Sequence, residues 1–169
     1  MLGLYPDFPR NIQRAETFSA SISDKKLQQA FVEALYGLNS ETFSLEDVAA
    51  PSVPDCKTIF EFGVADGNYF NYLDSEERER LLGALNKKPF QVMDFLCVIR
   101  YSRMQEDRKK RMRFDYYMMR LLFGENVTEI RVFHERGLMY TSPDDLIKFI
   151  ERRVNARFSR KVLRPWEPA

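Results

Sequence analysis

Apolar and polar residues alternate along several parts of the chain, which is the pattern of a strand that buries one face. In residues 15–22, for example, Phe18, Ala20 and Ile22 lie on one side and small polar residues lie on the other. Alternating or continuous apolar stretches predict six strands, over residues 15–22, 42–46, 57–64, 90–104, 111–123 and 127–136. The short stretch at 42–46 is expected at an edge of the sheet.

Three other segments carry apolar residues at the three- and four-residue spacing of an amphipathic helix. Each is preceded by a residue whose side chain suits the first free backbone N–H groups of a helix. The third helix has the strongest signal, because Pro143 follows its cap at the first helical position. The expected caps are Ser23 or Asp24, Asp74 and Ser142.

The order of these elements predicts an α+β fold, because the last three strands follow one another as hairpins. We expect a single domain over residues 1–169, with a largely antiparallel sheet of five to six strands. Its C-terminal part is a three-strand meander, and three helices pack mainly on one face. Residues 1–14 are expected to form an N-terminal arm, and residues 159–169 a basic tail.

Composition excludes several classes of protein. Hydrophobic residues make up 44% and aromatic residues 14%, which excludes intrinsic disorder. No apolar run is long enough to span a membrane and the start lacks a signal-peptide pattern, so a cytoplasmic protein without membrane contact is expected. With two separated cysteines, one histidine and no phosphate-binding glycine loop, we expect no metal site and no cofactor.

Charge is unevenly distributed, although the net charge is only +1. Residues 1–86 carry a net charge of −7 and residues 87–169 a net charge of +8. Either the two halves pair within the fold or across a homodimer, or the basic half faces an anionic partner, of which RNA or DNA is the first candidate. The candidate nucleic-acid-binding residues form two groups, at the first hairpin and on the last helix: Arg103, Arg108, Lys109, Lys110, Arg111 and Arg113, and Arg152, Arg153, Arg157, Arg160 and Lys161.

The hairpin loops suggest how the last three strands pair. We expect Arg100 opposite Asp115, and Tyr116 opposite His134. This register places one set of residues on the helix-covered face: Cys97, Ile99, Tyr101, Phe114, Tyr116, Met118, Ile130, Val132 and His134. It leaves an apolar set on the other face as a candidate dimer interface: Leu96, Val98, Tyr117, Met119, Leu121, Phe123 and Phe133. Such a patch predicts a homodimer, or cover by the N-terminal arm as the alternative.

Polar residues at one end of the meander form the second candidate site. His134 lies beside Glu135 and Arg136 at the end of one strand, and the expected register brings Glu135 close to Arg100 and Asp115. A histidine beside carboxylates suits a general base or a small-molecule site. A hydrogen-bonded core histidine and ordinary cross-strand ion pairs explain the same residues, so no catalytic residue is assigned.

Residues 61–67, which read EFGVADG, resemble the glycine-rich first motif of Rossmann-type methyltransferases at Glu61, Gly63 and Gly67. In that family the glycines let the backbone approach the cofactor. Ala65 stands in place of the middle glycine, and a meander follows where the family alternates strands and helices. These departures favour a simple turn at Gly67.

The sequence therefore predicts a binding or assembly domain without catalysis, homodimeric, whose basic C-terminal half binds an anionic partner. The alternative is a small-molecule-binding protein or an enzyme that uses the polar end of the meander around His134.

Overall fold

Helices and strands occupy most of the residues described by the computed structural model, which are 1–50, 55–103 and 113–167. The helices are α1 (Asp24–Leu38), α2 (Ser75–Lys87) and α3 (Pro143–Asn155). The strands are β1 (Arg14–Ala20), β2 (Thr42–Ser44), β3 (Cys56–Asp66), β4 (Tyr69–Tyr72), β5 (Val92–Arg103), β6 (Arg113–Gly124), β7 (Val127–Gly137) and β8 (Leu163–Pro165).

The strands form one antiparallel sheet in the order β2-β3-β5-β6-β7-β1-β8, with β4 paired to β3. This confirms the predicted α+β class and the C-terminal meander. Strands β4 and β8 were not predicted from the sequence, because they are four and three residues long and too short to show alternation. Gly67, with a φ of 67°, makes the tight turn between β3 and β4, so residues 61–67 belong to a hairpin.

The helices begin at the predicted caps. Ser23 Oγ accepts a hydrogen bond from the N–H of Lys26 at 3.3 Å, at the start of α1. At the start of α3, Ser142 Oγ accepts from the N–H of Asp145 at 3.1 Å. Asp74 caps α2 in the same way. Each bond satisfies a backbone donor that has no partner within the helix, which fixes where the helix begins.

The three helices pack on one face of the sheet and share a single core with it. Leu27, Phe31 and Leu35 on α1 are fully buried, as are Phe60 and Phe95 on the strands below. None of the helices in the described ranges is both long and apolar enough to cross a membrane.

The predicted register between β5 and β6 is wrong by one residue. Asp115 lies opposite Ile99, and Arg100 lies opposite Phe114. Since side chains alternate with a period of two, a shift of one residue moves every side chain of β6 to the other face. Residues Phe114, Tyr116 and Met118 therefore leave the helix-covered face.

The pairing of β6 with β7 is also shifted by one residue, because Tyr117, and not Tyr116, lies opposite His134. His134 therefore keeps the predicted core side of the sheet, although β6 has the opposite orientation to the expected one. Beyond this pair, Tyr116 lies opposite Arg136, so Glu135 is the extra residue of a β-bulge.

These shifts correct the candidate dimer interface. Tyr117, Met119 and Leu121 are fully buried in the core beneath the helices. Phe123 lies on the same side, with its ring 6.0 Å from that of Phe31. The remaining predicted residues, Leu96, Val98 and Phe133, are half-buried on the face without helices, which we call the open face.

Candidate functional site

A buried carboxylate on β6, Asp115, organises the end of the sheet where β7 leads into α3. It accepts four hydrogen bonds, from the phenol of Tyr101 at 2.6 Å, Nε2–H of His134 at 2.8 Å, and the backbone N–H groups of Met139 at 2.6 Å and Tyr140 at 2.9 Å. The side chain is fully buried, and a buried charge is tolerated when donors surround it in this way. Asp115 therefore holds the backbone between β7 and α3.

The backbone held by Asp115 has an unusual conformation. Gly137 has a φ of 118° and Met139 a φ of 56°, both in the left-handed region. A Cβ at Gly137 would lie 2.3 Å from the carbonyl oxygen of Phe114, so only glycine fits there. The tight turn leaves Leu138 and Met139 exposed to solvent.

Two buried tyrosines complete this network. The hydroxyl of Tyr101 lies 2.9 Å from Oγ1 of Thr141, and the hydroxyl of Tyr117 donates to the carbonyl oxygen of Thr141. Burial raises the pKa of both phenols above the usual tyrosine range. Both therefore remain protonated near neutral pH and act as hydrogen-bond donors.

The structure brings together only two of the four predicted polar residues, His134 and Asp115. Arg100 lies on the open face, where it forms an ion pair with Glu61, and Glu135 is exposed in the bulge. His134 itself has a side chain that is 8% exposed and packs edge-on against Tyr117 at 5.1 Å. This geometry is that of a core histidine which supports the turn. Within the described ranges, no cluster of three or more histidine, cysteine or acidic residues could hold a metal ion.

The open face carries a second group of residues beside this end of the sheet. It comprises Val98, Arg100, Phe114, Tyr116 and Arg136, which we call the aromatic–arginine patch. The guanidinium of Arg136 lies 4.2 Å from the centroid of the Tyr116 ring. The rings of Phe114 and Tyr116 are 6.1 Å apart and inclined by 29°. The guanidinium of Arg136 thus covers part of one face of the Tyr116 ring, and Phe114 stacks against the same tyrosine on a partly exposed sheet surface.

The N-terminal arm covers the other half of the open face. The backbone N–H of Tyr5 donates to Oδ2 of Asp94 at 2.8 Å, and its carbonyl oxygen accepts from Arg120 at 3.3 Å. Arg120 binds the fully buried Asp94 through two nitrogens, at 2.7 and 2.8 Å. Phe8, which is 8% exposed, packs over Arg120 at 4.5 Å. The arm thus provides part of the cover that the sequence analysis assigned to a second copy or to the arm.

The arm is held in place by its first residues. The N–H of Gly3 donates to the carbonyl oxygen of Ala65 at 2.7 Å, and the N–H of Asp94 donates to the carbonyl oxygen of Gly3 at 2.7 Å. Gly3 therefore bridges β3 and β5 where their direct pairing has ended. A Cβ at Gly3 would meet the ring of Phe90 at 3.1 Å. The arm therefore leaves uncovered the end of the open face that carries the aromatic–arginine patch.

The basic residues of α3 and the tail are mostly engaged within the chain. Arg153 binds Glu41 at 3.2 Å, and Arg157 lies 3.9 Å from Glu33. Arg152 donates a hydrogen bond to the carbonyl oxygen of Asp47, and Arg160 donates one to Oγ of Ser21. Lys161, the last predicted residue of this group, is exposed. The acidic and basic halves therefore pair with each other at this surface.

Two of the predicted basic residues of the first hairpin lie at the end of the sheet that carries the aromatic–arginine patch. Arg103 ends β5 and Arg113 begins β6, and both are exposed. Alternation along the two strands places them on the side of Tyr101 and Asp115, opposite to the patch. The other predicted members of this group, Arg108, Lys109, Lys110 and Arg111, lie outside the described residues.

A groove of about 390 Å³ separates the C-terminal ends of α1 and α3. Its floor consists of small residues, and its walls carry two carboxylates and two guanidinium groups: Glu33, Ala34, Gly37, Glu41, Arg153, Ala156 and Arg157. Because these charges pair with each other across the groove, its charge is balanced.

The aromatic–arginine patch was not predicted, because the expected register placed Phe114 and Tyr116 in the core. Apolar residues occupy both faces of β6, so alternation alone does not decide which face is buried. The available signal was the turn between β6 and β7, where only two residues separate Gly124 from its partner Val127.

Comparison with known proteins adds no relative: no protein-family model, no curated protein and no solved structure matches this chain.

Proposed function

We propose that this protein is a binding domain without catalytic activity, and that it binds single-stranded nucleic acid through the aromatic–arginine patch. Bases stack on exposed aromatic rings and on guanidinium planes, and a sheet face with such residues is a common platform for a single strand. The observation that carries the proposal is the row formed by Phe114, Tyr116 and Arg136 on the uncovered half of the open face.

The sequence around the first hairpin supports the same partner. Residues 103–113 contain six basic and two acidic residues, so this segment carries a net charge of +4. Phosphate groups of a strand lying on the neighbouring patch would be attracted to that charge, and binding would weaken as salt increases. The arginines of α3 are left out of the proposed interface, because Arg153 and Arg157 already face carboxylates.

A substitution in the patch tests the proposal against a matched control. Tyr116→Ala removes a stacking surface, so its affinity for a fluorescein-labelled eight-nucleotide single strand should fall by about tenfold. Tyr69→Ala removes a tyrosine that is 61% exposed on β4, away from the patch, and should leave affinity unchanged. Fluorescence anisotropy gives both values. An unchanged affinity for Tyr116→Ala, or an equal loss for Tyr69→Ala, would contradict the proposed site.

Self-association through the same face is a second candidate. Ile59 is 36% exposed, and Leu96, Val98 and Phe133 are half-buried on the open face, which gives an apolar area suited to a homodimer. Sedimentation equilibrium should then give a dimer for the native protein and a folded monomer for Val98→Asp. A monomeric native protein would remove this candidate.

We further propose that the protein works in the cytosol. Cys97 is a free thiol that is fully buried in the core, and a reducing compartment maintains that state.

A further inference from the structure

We infer that the patch selects guanine among the bases of a single strand, through the ion pair of Glu61 and Arg100. This inference rests on the proposed function, because it assigns base specificity to the same surface. It starts from the position of the ion pair at the border of the stacking row.

The pair lies directly beside the rings. Arg100 is opposite Phe114 in the pairing of β5 with β6, and Glu61 is opposite Val98 in the pairing of β3 with β5. The side chains of Glu61 and Arg100 are 32% and 35% exposed, so both reach solvent on the open face. A base stacked on Phe114 would therefore turn one edge toward a carboxylate and a guanidinium held next to each other.

The two groups offer a fixed order of acceptors and donors. The contact with Arg100 uses Oε1 of Glu61, and Oε2 is the second acceptor of the carboxylate. A carboxylate such as that of Glu61 binds best to two parallel N–H donors of a base, and the adjacent guanidinium of Arg100 then donates to an acceptor on the same base. The base edge that matches Glu61 and Arg100 is therefore one with two neighbouring hydrogen-bond donors followed by one acceptor.

Guanine carries that edge. Its N1–H and 2-amino groups are neighbouring donors, and O6 beside them is an acceptor. Adenine and cytosine each present one amino donor to the carboxylate, and uracil presents a single N–H between two carbonyl oxygens. Guanine alone among the four engages both oxygens of Glu61 and also Arg100, so it forms one more hydrogen bond than its competitors.

The test compares three labelled eight-nucleotide RNAs: oligouridine, the same strand with one central guanosine, and the same strand with inosine at that position. The native protein should bind the guanosine strand about tenfold more tightly than oligouridine. Inosine lacks the 2-amino group, so it should lose most of that preference. Anisotropy at a single salt concentration measures all three.

Two variants assign the preference to Glu61. Glu61→Gln places an amide where the carboxylate was, so the guanosine strand and oligouridine should bind equally while the affinity for oligouridine is kept. Glu129→Gln alters a carboxylate that pairs with Arg131 at 3.0 Å on β7 of the same sheet, and should keep the preference. If Glu61→Gln fails to fold by circular dichroism, Glu61→Asp serves instead, because its shorter side chain also loses contact with the base.

The outcomes separate this inference from the proposed function. Equal binding of the three strands by the native protein would overturn guanine selection and leave single-strand binding intact. A preference retained in Glu61→Gln would also overturn it, because another group would then read the base. Absence of binding to every strand would overturn both.

Discussion

At the scale of single residues, the polar end of the sheet depends on one carboxylate and one glycine. The carboxylate of Asp115 accepts four hydrogen bonds, and two of them come from backbone N–H groups of the turn after β7. Gly137 lets the chain pass close to β6, and the N–H of Met139 in the same turn then donates to Oδ1 of Asp115. The sequence predicted Asp115 and His134 on opposite faces at this polar end, and did not show that Asp115 binds His134, Tyr101 and a backbone segment.

A pair of glycine substitutions tests this account of the turn. Gly137→Ala forces a side chain into a left-handed conformation and against the carbonyl of Phe114, so the free energy of unfolding should fall by at least about 2 kcal/mol. Gly83→Ala lies within α2, where a Cβ meets nothing within 4 Å, and should raise it by about 0.5–1 kcal/mol. Urea unfolding measures both. Equal tolerance of the two changes would show that the turn is not held in this conformation.

At the scale of elements, capping residues and apolar spacing were sufficient to predict all three helices and the long strands. These signals are local, because a cap and its helix lie within a few residues of each other. The pairing of β6 was not predictable in the same way. Tyr116 and Tyr117 are neighbours of the same type, and the register of β6 with β5 and β7 decides that Tyr117 enters the core.

Two substitutions on β6 test the observed register. Met119 is fully buried beneath the helices, so Met119→Asp should place an unpaired charge in the core and abolish cooperative unfolding. Tyr116 is half-buried on the open face, and Tyr116→Asp should change the free energy of unfolding by about 1 kcal/mol or less. Circular dichroism during thermal unfolding separates the two. Under the register expected from the sequence the effects would be reversed.

At the scale of the whole molecule, different parts of the chain pack on the two faces of the sheet. Helices cover one face, and the N-terminal arm covers half of the other through Tyr5, Phe8 and the pair of Asp94 with Arg120. The sequence predicted the helical layer and gave the arm as one of two possible covers. Much of the charge asymmetry is neutralised within the chain. Arg153 on α3 and Arg157 just after it form ion pairs with glutamates of α1 and of the segment that follows α1. What remains at the end of the open face that the arm leaves uncovered is the aromatic–arginine patch.

The most direct test of single-strand binding is a titration of labelled single-stranded and double-stranded oligonucleotides with the native protein, followed by fluorescence anisotropy at low and at physiological salt. We expect micromolar or tighter binding of the single strands at low salt, weaker binding of the duplexes, and a steep loss of affinity as salt increases. The absence of binding at low salt would contradict the proposal.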